Sequence, residues 1–256
     1  MFGLITRIGA RSIRFFDQLG KFAIMVYRIL TSLLEFSTYG RLSIEQMVAI
    51  GVTSLPIVIY LSIFAGMVTS VQASYQMEKY IPLYIIGSVV SKSILLELAP
   101  MLTALVLSGR VGATIAAELG TMRVTEQIDA LESMGFNSVA YLVVPRVIAG
   151  VVMFPVLTVF SAAVGIAGGW FICLVSIGLS TEQFAKGVQL YFNPFDLTYC
   201  MIKSACFGLT ICLVACQQGT HVAGGARGVG AATTNAVVIA CLLILMQDYF
   251  LAQILL

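Results

Sequence analysis

The sequence predicts an all-α, polytopic membrane protein with an N-terminal interfacial helix, five transmembrane helices and a short helix between the second and third spans. Apolar residues make up 59% of the 256 residues and charged residues only 10%, and the mean hydropathy is +1.00. Several apolar runs reach the roughly 20 residues that cross a bilayer as a helix. This composition leaves no room for a separate soluble module, so residues 1–256 are expected to form a single domain.

Residues 1–36 form the predicted interfacial helix. Apolar residues recur at helical spacing from residue 4 to residue 34, and cations are interleaved with them at Arg7, Arg11, Arg14, Lys21 and Arg28. This pattern is typical of a helix that lies in the membrane surface, where each cation adds about 1 kcal/mol of attraction to an anionic leaflet. A solvated basic arm is the alternative. The arginines also interrupt the first apolar stretch, so no cleavable signal peptide is expected.

The five predicted spans cover residues 47–71, 85–110, 140–177, 197–216 and 231–255. The third is far longer than the roughly 20 residues that a crossing needs, and it is counted once because no polar turn divides it. It should therefore be kinked, tilted or extended beyond the bilayer. The polar residues 178–196 and the glycine-rich residues 217–230 are expected to be connecting segments.

The distribution of basic residues predicts the orientation. With the N-terminus in the cytoplasm, all nine arginines lie on or near the cytoplasmic side, and the outer loops keep only Lys79 and Lys186. Five spans then place the C-terminus on the outer side of the membrane. The segment 109–135 is cytoplasmic in this arrangement, where a soluble partner can reach it.

The segment 109–135 begins with small residues at helical spacing. Gly109 and Ala113 fall on one row of a helix, and Gly112, Ala116 and Gly120 fall on the next. Small residues at this spacing let helix backbones approach closely, so these five positions are expected to be packing positions.

Residues 125–134 form the predicted short helix. Thr125 is expected to cap it, Glu126 to lie in its first turn and Gly135 to end it in a left-handed conformation. An apolar row and an acidic row run along it: Ile128, Leu131 and Met134, beside Glu126, Asp129 and Glu132, with Gln127 between them. A helix this short needs a surface to dock on. That surface is either its own protein or, in our preferred interpretation, a groove in a soluble partner.

Three ionisable residues lie inside predicted spans, on three different helices. At 1.5 Å per residue, Glu97, Lys203 and Asp248 lie about 20, 21 and 25 Å from the cytoplasmic boundary. Buried charges are costly unless they are paired or wetted, so they indicate function by default. Pro100 cannot donate a hydrogen bond to the carbonyl of Leu96, which loosens the helix beside Glu97. Either Lys203 forms an ion pair with Glu97 or Asp248 that fixes helix packing, or the three charged residues line a pocket for an amphipathic substrate, with Leu96 and Pro100 beside them.

The chain offers no catalytic chemistry of its own. The six cysteines lie in apolar runs without metal-like spacing, and the glycine-rich run around His221 lacks the lysine of a phosphate loop. No nucleophile elbow or histidine pair for zinc occurs. The protein is therefore not expected to be an enzyme, to hold a metal or cofactor, or to bind nucleic acid.

Several local motifs point to one family. They are Glu97-Leu-Ala-Pro100, Leu102-Thr-Ala-Leu105, Gly109-Arg-Val-Gly112, Ala116-Ala-Glu-Leu-Gly-Thr-Met122, Thr125-Glu-Gln-Ile-Asp129 and Gly228-Val-Gly-Ala-Ala-Thr-Thr234. With these motifs the chain resembles the permease subunits of the Mla/Mce-associated ABC transporters, the MlaE-type lipid permeases. In bacterial members an arginine precedes the in-membrane glutamate. Leu96 stands there in this chain, which directs attention to Lys203 as the partner of Glu97.

The resemblance implies a homodimeric permease that moves glycerophospholipid and maintains outer-membrane lipid asymmetry. The helix 125–134 would be a coupling helix that docks on a separate ATPase subunit, which binds the ATP. A periplasmic Mce-domain protein and a cytoplasmic STAS-domain protein are the other implied partners. Two other classes remain open: a secondary transporter of an amphipathic substrate, although no internal repeat is visible, and a lipid-modifying enzyme.

Overall fold

The computed structural model describes residues 2–32, 36–77 and 82–255, with side chains from residue 16 onward except those of 18 and 36–39. Within these ranges the chain is helical apart from short turns and contains no strand. The helices are α1 (Phe2–Ser32), α2 (Phe36–Ile50), α3 (Leu55–Gln76), α4 (Ile85–Val124), α5 (Gln127–Ser133), α6 (Val139–Ile177), α7 (Thr181–Leu190), α8 (Pro194–Thr220) and α9 (Gly225–Leu255).

Five stretches are long and apolar enough to cross a membrane, which confirms the predicted all-α polytopic class. They are Gly40–Gln76, which joins α2 and α3 through a 3₁₀ turn, and the helices α4, α6, α8 and α9. Two predicted segments lie partly outside the described residues. They are the interfacial helix, at residues 1 and 33–35, and the loop with Lys79. We call the end of the bundle where α5 joins α4 to α6 the α5 end; α7 lies at the opposite end.

Helix α6 is the centre of the bundle. It packs against α3 on one side and against α8 on the other, while α9 packs on α8 and on the second half of α4. Helix α1 lies against the first turns of α6, and α7 packs on the first half of α4. The larger apolar cluster lies at these helix crossings, around Leu107, Phe154, Phe207 and Ile211, all of which are fully buried.

Two helix crossings depend on glycine because backbones touch there. A Cβ atom added at Gly66 of α3 would lie 1.8 Å from the carbonyl oxygen of Gly165 on α6. On the other side of α6, a Cβ at Gly208 of α8 would lie 2.7 Å from the oxygen of Gly150. In a bilayer, where helices gain little from hydrophobic association, such close approach is a main source of packing energy.

The predicted small-residue rows divide between two environments. Gly112, Ala116 and Gly120 are buried: Gly112 and Ala116 face α8, and Gly120 meets Val222 and Val229. Gly109 is exposed with no atom near a Cβ added there, and Ala113 is only partly covered. The packing prediction is thus wrong for Gly109 within a single chain, because the row that carries it turns away from α8 and α9.

The two predicted connecting segments do join successive spans, but most of their residues are helical. Residues 178–196 contain α7, which begins with a capping box. The side chain of Ser180 accepts a hydrogen bond from the backbone N–H of Gln183, and the side chain of Gln183 accepts one from the backbone N–H of Ser180. In 217–230, only residues 221–224 are not helical, because α8 continues to Thr220 and α9 begins at Gly225. Gly224 and Gly225 have φ values of +91° and +68°, so they turn the chain sharply.

The glycine contact between α3 and α6 can be tested by adding a single methyl group. We expect Gly66→Ala to destabilise the protein by at least about 1–3 kcal/mol, because the methyl group would meet a backbone carbonyl that cannot rotate away. Unfolding of the purified protein in mixed micelles measures the change. The matched control is Gly230→Ala at an exposed helical position of α9 with no atom near an added Cβ, which should be neutral or gain up to about 1 kcal/mol from helix propensity. Equal stability of the two variants would contradict the crossing described here.

Candidate functional site

Three charged residues from three helices meet at one point inside the bundle. The ammonium nitrogen of Lys203, on α8, lies 2.7 Å from Oε2 of Glu97 on α4 and 2.7 Å from Oδ1 of Asp248 on α9. The Asp248 contact lacks the angle of a hydrogen bond, so it is a charge pair only. The structure therefore brings together the three residues that the sequence singled out. We call Glu97, Lys203 and Asp248 the Lys203 cluster.

The local structure of α4 explains how Lys203 gains a further partner. Pro100 has no N–H, so the carbonyl of Leu96 receives no hydrogen bond from the position four residues later. A π turn over Ile94–Leu98 ends two residues before the proline. The freed oxygen of Leu96 instead accepts a hydrogen bond from Lys203 Nζ at 3.3 Å. The carbonyl that the sequence predicts to be freed thus accepts a hydrogen bond from a buried ammonium group. Pro100 itself is buried and does not face a pocket.

The members of the Lys203 cluster differ sharply in exposure. The side chain of Lys203 is fully buried, that of Asp248 is 14% exposed and that of Glu97 is 45% exposed. The ring of Tyr199, one turn earlier on α8, covers the ammonium group with its centroid 5.2 Å away. The cluster is thus an ion-pair network, as one interpretation of the sequence held. It also presents a carboxylate on the outer surface of the single chain, as the other interpretation requires.

Helix α5 begins differently from the sequence prediction. The hydroxyl of Thr125 donates to the carbonyl of Thr121 within the end of α4 and does not cap α5. Glu126 occupies the N-cap position in a left-handed conformation with φ of 58°. Thr125 is therefore the C-cap of α4, because that helix extends without interruption to Val124. Gly135 ends α5 with φ of +81°, the left-handed conformation that the sequence indicates.

The apolar row of α5 faces its own protein. Ile128 is buried in the main apolar cluster and Leu131 packs partly against it, so only Met134 of this row is exposed. The prediction that this row enters a partner's groove is therefore wrong for Ile128, which is buried in its own bundle, while Leu131 is only partly covered there. The exposed residues of α5 are Gln127, Asp129, Ala130, Glu132 and Ser133, and Met134 at its C-cap is exposed as well.

Two further ion pairs were not predicted from the sequence. Arg146 of α6 is buried, and it donates to the carbonyl of Leu142 at 2.7 Å and to Glu118 of α4 at 3.0 Å. Lys92 of α4 lies 3.9 Å from the buried Asp196 of α8. In the sequence, Arg146 serves only as an orientation signal, and its place within an apolar run is the feature that indicates a buried partner. The Arg146–Glu118 pair joins the first turns of α6 to the segment of α4 that leads to α5.

The Lys203 cluster has the chemistry of a binding or switching site. No group of three or more metal-ligating side chains occurs among the residues that the structure describes. The six cysteines are free thiols. What the Lys203 cluster offers is one carboxylate at the surface, held in place by a buried cation that also joins three membrane helices.

Comparison with known proteins identifies the family. A family model described as "Permease MlaE" matches residues 43–254. A probable ABC transporter permease protein of Rickettsia bellii is 36% identical over 254 residues, which cover 99% of this chain and 98% of the relative. A probable ABC transporter permease protein of Synechocystis is 43% identical over 212 residues, or 83% of this chain and 81% of the relative.

A plant protein matches over most of the chain as well. Arabidopsis thaliana protein Trigalactosyldiacylglycerol 1, chloroplastic, is 33% identical over 230 residues, which cover 90% of this chain and 66% of the relative. The family match covers more than half of the chain, and the identities extend over nearly all of it. The chain therefore belongs to the MlaE permease family and is the multi-pass permease subunit of an ABC transporter, a transporter component that is not itself catalytic.

Proposed function

We propose that this permease moves phospholipid between the bacterial inner membrane and a periplasmic carrier, driven by ATP that a separate ATPase subunit binds and hydrolyses. The observation that carries the proposal is the exposed carboxylate of Glu97, held by the fully buried Lys203 inside a membrane-embedded bundle. A charged side chain that faces hydrocarbon destabilises a membrane protein, so such residues usually occur where a polar group passes or binds.

An amphipathic substrate suits the surroundings of Glu97. Its polar head can reach the carboxylate, while its chains lie on the apolar faces of the neighbouring helices. The name of the Arabidopsis relative contains that of a galactolipid, which supports a lipid substrate for this chain. Family membership favours ATP-driven transport over the secondary transporter that the sequence left open.

We propose that α5 is the coupling helix that transmits ATPase movement. Its inner face is fixed to the bundle by Ile128 and Leu131, and Arg123 forms an ion pair with Asp129 across the junction with α4. Helix α4 continues from this junction to Glu97, a distance of about 40 Å over 27 residues at 1.5 Å each. A push on the outer face of α5 is thereby applied to the helix that carries Glu97.

The working unit is proposed to be a homodimer. A second copy against α4 would cover the exposed side of Glu97 and enclose a pocket there. The exposed row with Gly109 and Ala113 offers small residues on the same helix, and such rows permit close approach of two helices.

The other partners follow from the proposed orientation, with the N-terminus cytoplasmic and the C-terminus periplasmic. An Mce-domain protein would meet the α7 end, where Tyr191, Phe192 and Phe195 are exposed. A STAS-domain protein would bind on the cytoplasmic side, beside the ATPase. The orientation rests on the concentration of arginines around the α5 end.

The role of Glu97 can be separated from ion pairing by two matched variants. Both Glu97→Gln and Asp248→Asn leave Lys203 with one carboxylate partner, so both should fold and assemble. We expect Glu97→Gln to reduce phospholipid transfer at least tenfold in proteoliposomes with the partner subunits, and Asp248→Asn to reduce it less. Transfer of labelled phospholipid to an acceptor measures this. Equal losses in the two variants would reduce Glu97 to a packing residue, and no phospholipid transfer by the wild-type complex would reject the substrate class.

The role of α5 can be tested on its outer face. We expect Ala130→Arg to weaken association with the ATPase subunit at least tenfold, because a long cation would replace a small exposed residue at the contact. Co-purification from detergent-solubilised membranes is the readout. Gln189→Arg, on an exposed face of α7, is the control and should leave association unchanged. Normal co-purification of the Ala130→Arg variant would show that the ATPase docks elsewhere.

A further inference from the structure

A cavity of about 350 Å³ lies at the α5 end, between the interfacial helix α1 and the short helix α5. The first turns of α6 and the end of α8 complete its wall. This volume is at the lower end of the range for small-ligand pockets. The cavity does not involve the Lys203 cluster, and the proposed transport path makes no use of it.

The available charge in this cavity is positive. Three cations and two carboxylates line it, which gives the lining a net charge of +1, and both carboxylates have partners within the protein. Asp129 is paired with Arg123, and Glu132 accepts a hydrogen bond from Ser138 Oγ at 2.6 Å. Arg28 is different: it has no side-chain partner among the side chains that the structure describes.

The third cation of the lining, Lys21, forms only a weak ion pair. Its ammonium group lies 2.6 Å from Asp17 one turn earlier, and the two side chains are 48% and 57% exposed. Surface pairs of this kind contribute less than about 1 kcal/mol, so an incoming anion can replace Asp17 at little cost. Lys21 and Arg28 are seven residues apart, which places them on the same side of α1.

The position of α1 fixes the depth of the cavity relative to the membrane. Met25 and Ile29 are buried against the bundle, while Phe16, Leu19, Tyr27 and Leu30 form an exposed apolar stripe. A basic helix with such a stripe lies at the boundary between headgroups and acyl chains. The cavity thus opens where phospholipid headgroups are, and the cytoplasmic leaflet proposed for this end is rich in anionic lipid.

The wall of the cavity offers apolar surface to the acyl chains of such a lipid. Ile128 of α5, with Leu142 and Val143 of α6, contributes buried apolar surface to the lining. The guanidinium of Arg28 can donate two parallel hydrogen bonds to a phosphate group. The site thus combines cations at headgroup depth with an apolar wall beneath them.

We infer that this cavity binds the phosphate of an anionic phospholipid, held by Arg28 and Lys21. The bound lipid contacts both α1 and α5. The anionic lipid content of the leaflet therefore determines how strongly the coupling helix is held against α1. This site is separate from the transport path, and it would exist even if the transported substrate were not a phospholipid.

The test uses the purified full-length permease and three ligands. Phosphatidylglycerol, phosphatidylcholine and soluble glycerol 3-phosphate are compared by native mass spectrometry and by the shift in melting temperature. We expect phosphatidylglycerol to bind and to stabilise the protein, and the other two to do neither. Equal binding of phosphatidylcholine would overturn the charge argument. Displacement of phosphatidylglycerol by glycerol 3-phosphate at similar concentration would show a site for free phosphate instead.

Two substitutions with opposite expected signs locate the site. Arg28→Gln should weaken phosphatidylglycerol binding about tenfold or more, because charge-assisted hydrogen bonds are lost. Asp129→Asn should strengthen it, because it removes a negative charge and releases Arg123. The control is Arg41→Gln: that side chain is 93% exposed, pairs with Glu45 and lies outside the cavity lining. Unchanged binding in both Arg28→Gln and Asp129→Asn, or an equal loss in Arg41→Gln, would contradict the assignment.

Discussion

The burial of one ammonium group constrains the structure more than any other interaction. Lys203 has no exposed surface, so its charge must be compensated entirely by protein. Glu97, Asp248 and the carbonyl of Leu96 supply that compensation from two other helices. The positions of α4, α8 and α9 are therefore linked, because a shift of any one of them removes a partner from a buried cation.

The same linkage connects the two ends of the molecule. Helix α4 runs without a break from Ile85 to Val124, so the residue that pairs with Lys203 and the residues that precede α5 belong to one rod. The ion pair of Arg146 with Glu118 joins the part of α4 near the α5 end to α6. The π turn beside Pro100 is the place where α4 can bend. Any shift of this rod would have to change the contacts that Lys203 makes with Glu97, Asp248 and the carbonyl of Leu96.

Much of this could be predicted from the sequence, for definable reasons. Apolar runs revealed the spans because the bilayer sets their length, and ionisable residues within them revealed the Lys203 cluster because they are rare there. The missing N–H of Pro100 correctly indicated a freed carbonyl, although not that Lys203 would use it. The sequence could not show which face of α5 points inward, since Ile128 and Leu131 suit a partner's groove as well as their own bundle. Gly109 and Gly112 likewise look alike in sequence, and only the path of α8 distinguishes them.

The central claim is that two carboxylates compensate Lys203 and thereby hold three helices together. The most direct test is the free energy of unfolding, in mixed micelles, of Lys203→Met and of the triple variant that adds Glu97→Gln and Asp248→Asn. Removing only the cation leaves two carboxylates facing each other, so the single variant should lose about 3–5 kcal/mol. Neutralising all three groups should recover more than half of that loss. A single variant as stable as the wild type, or a triple variant less stable than the single one, would contradict the account.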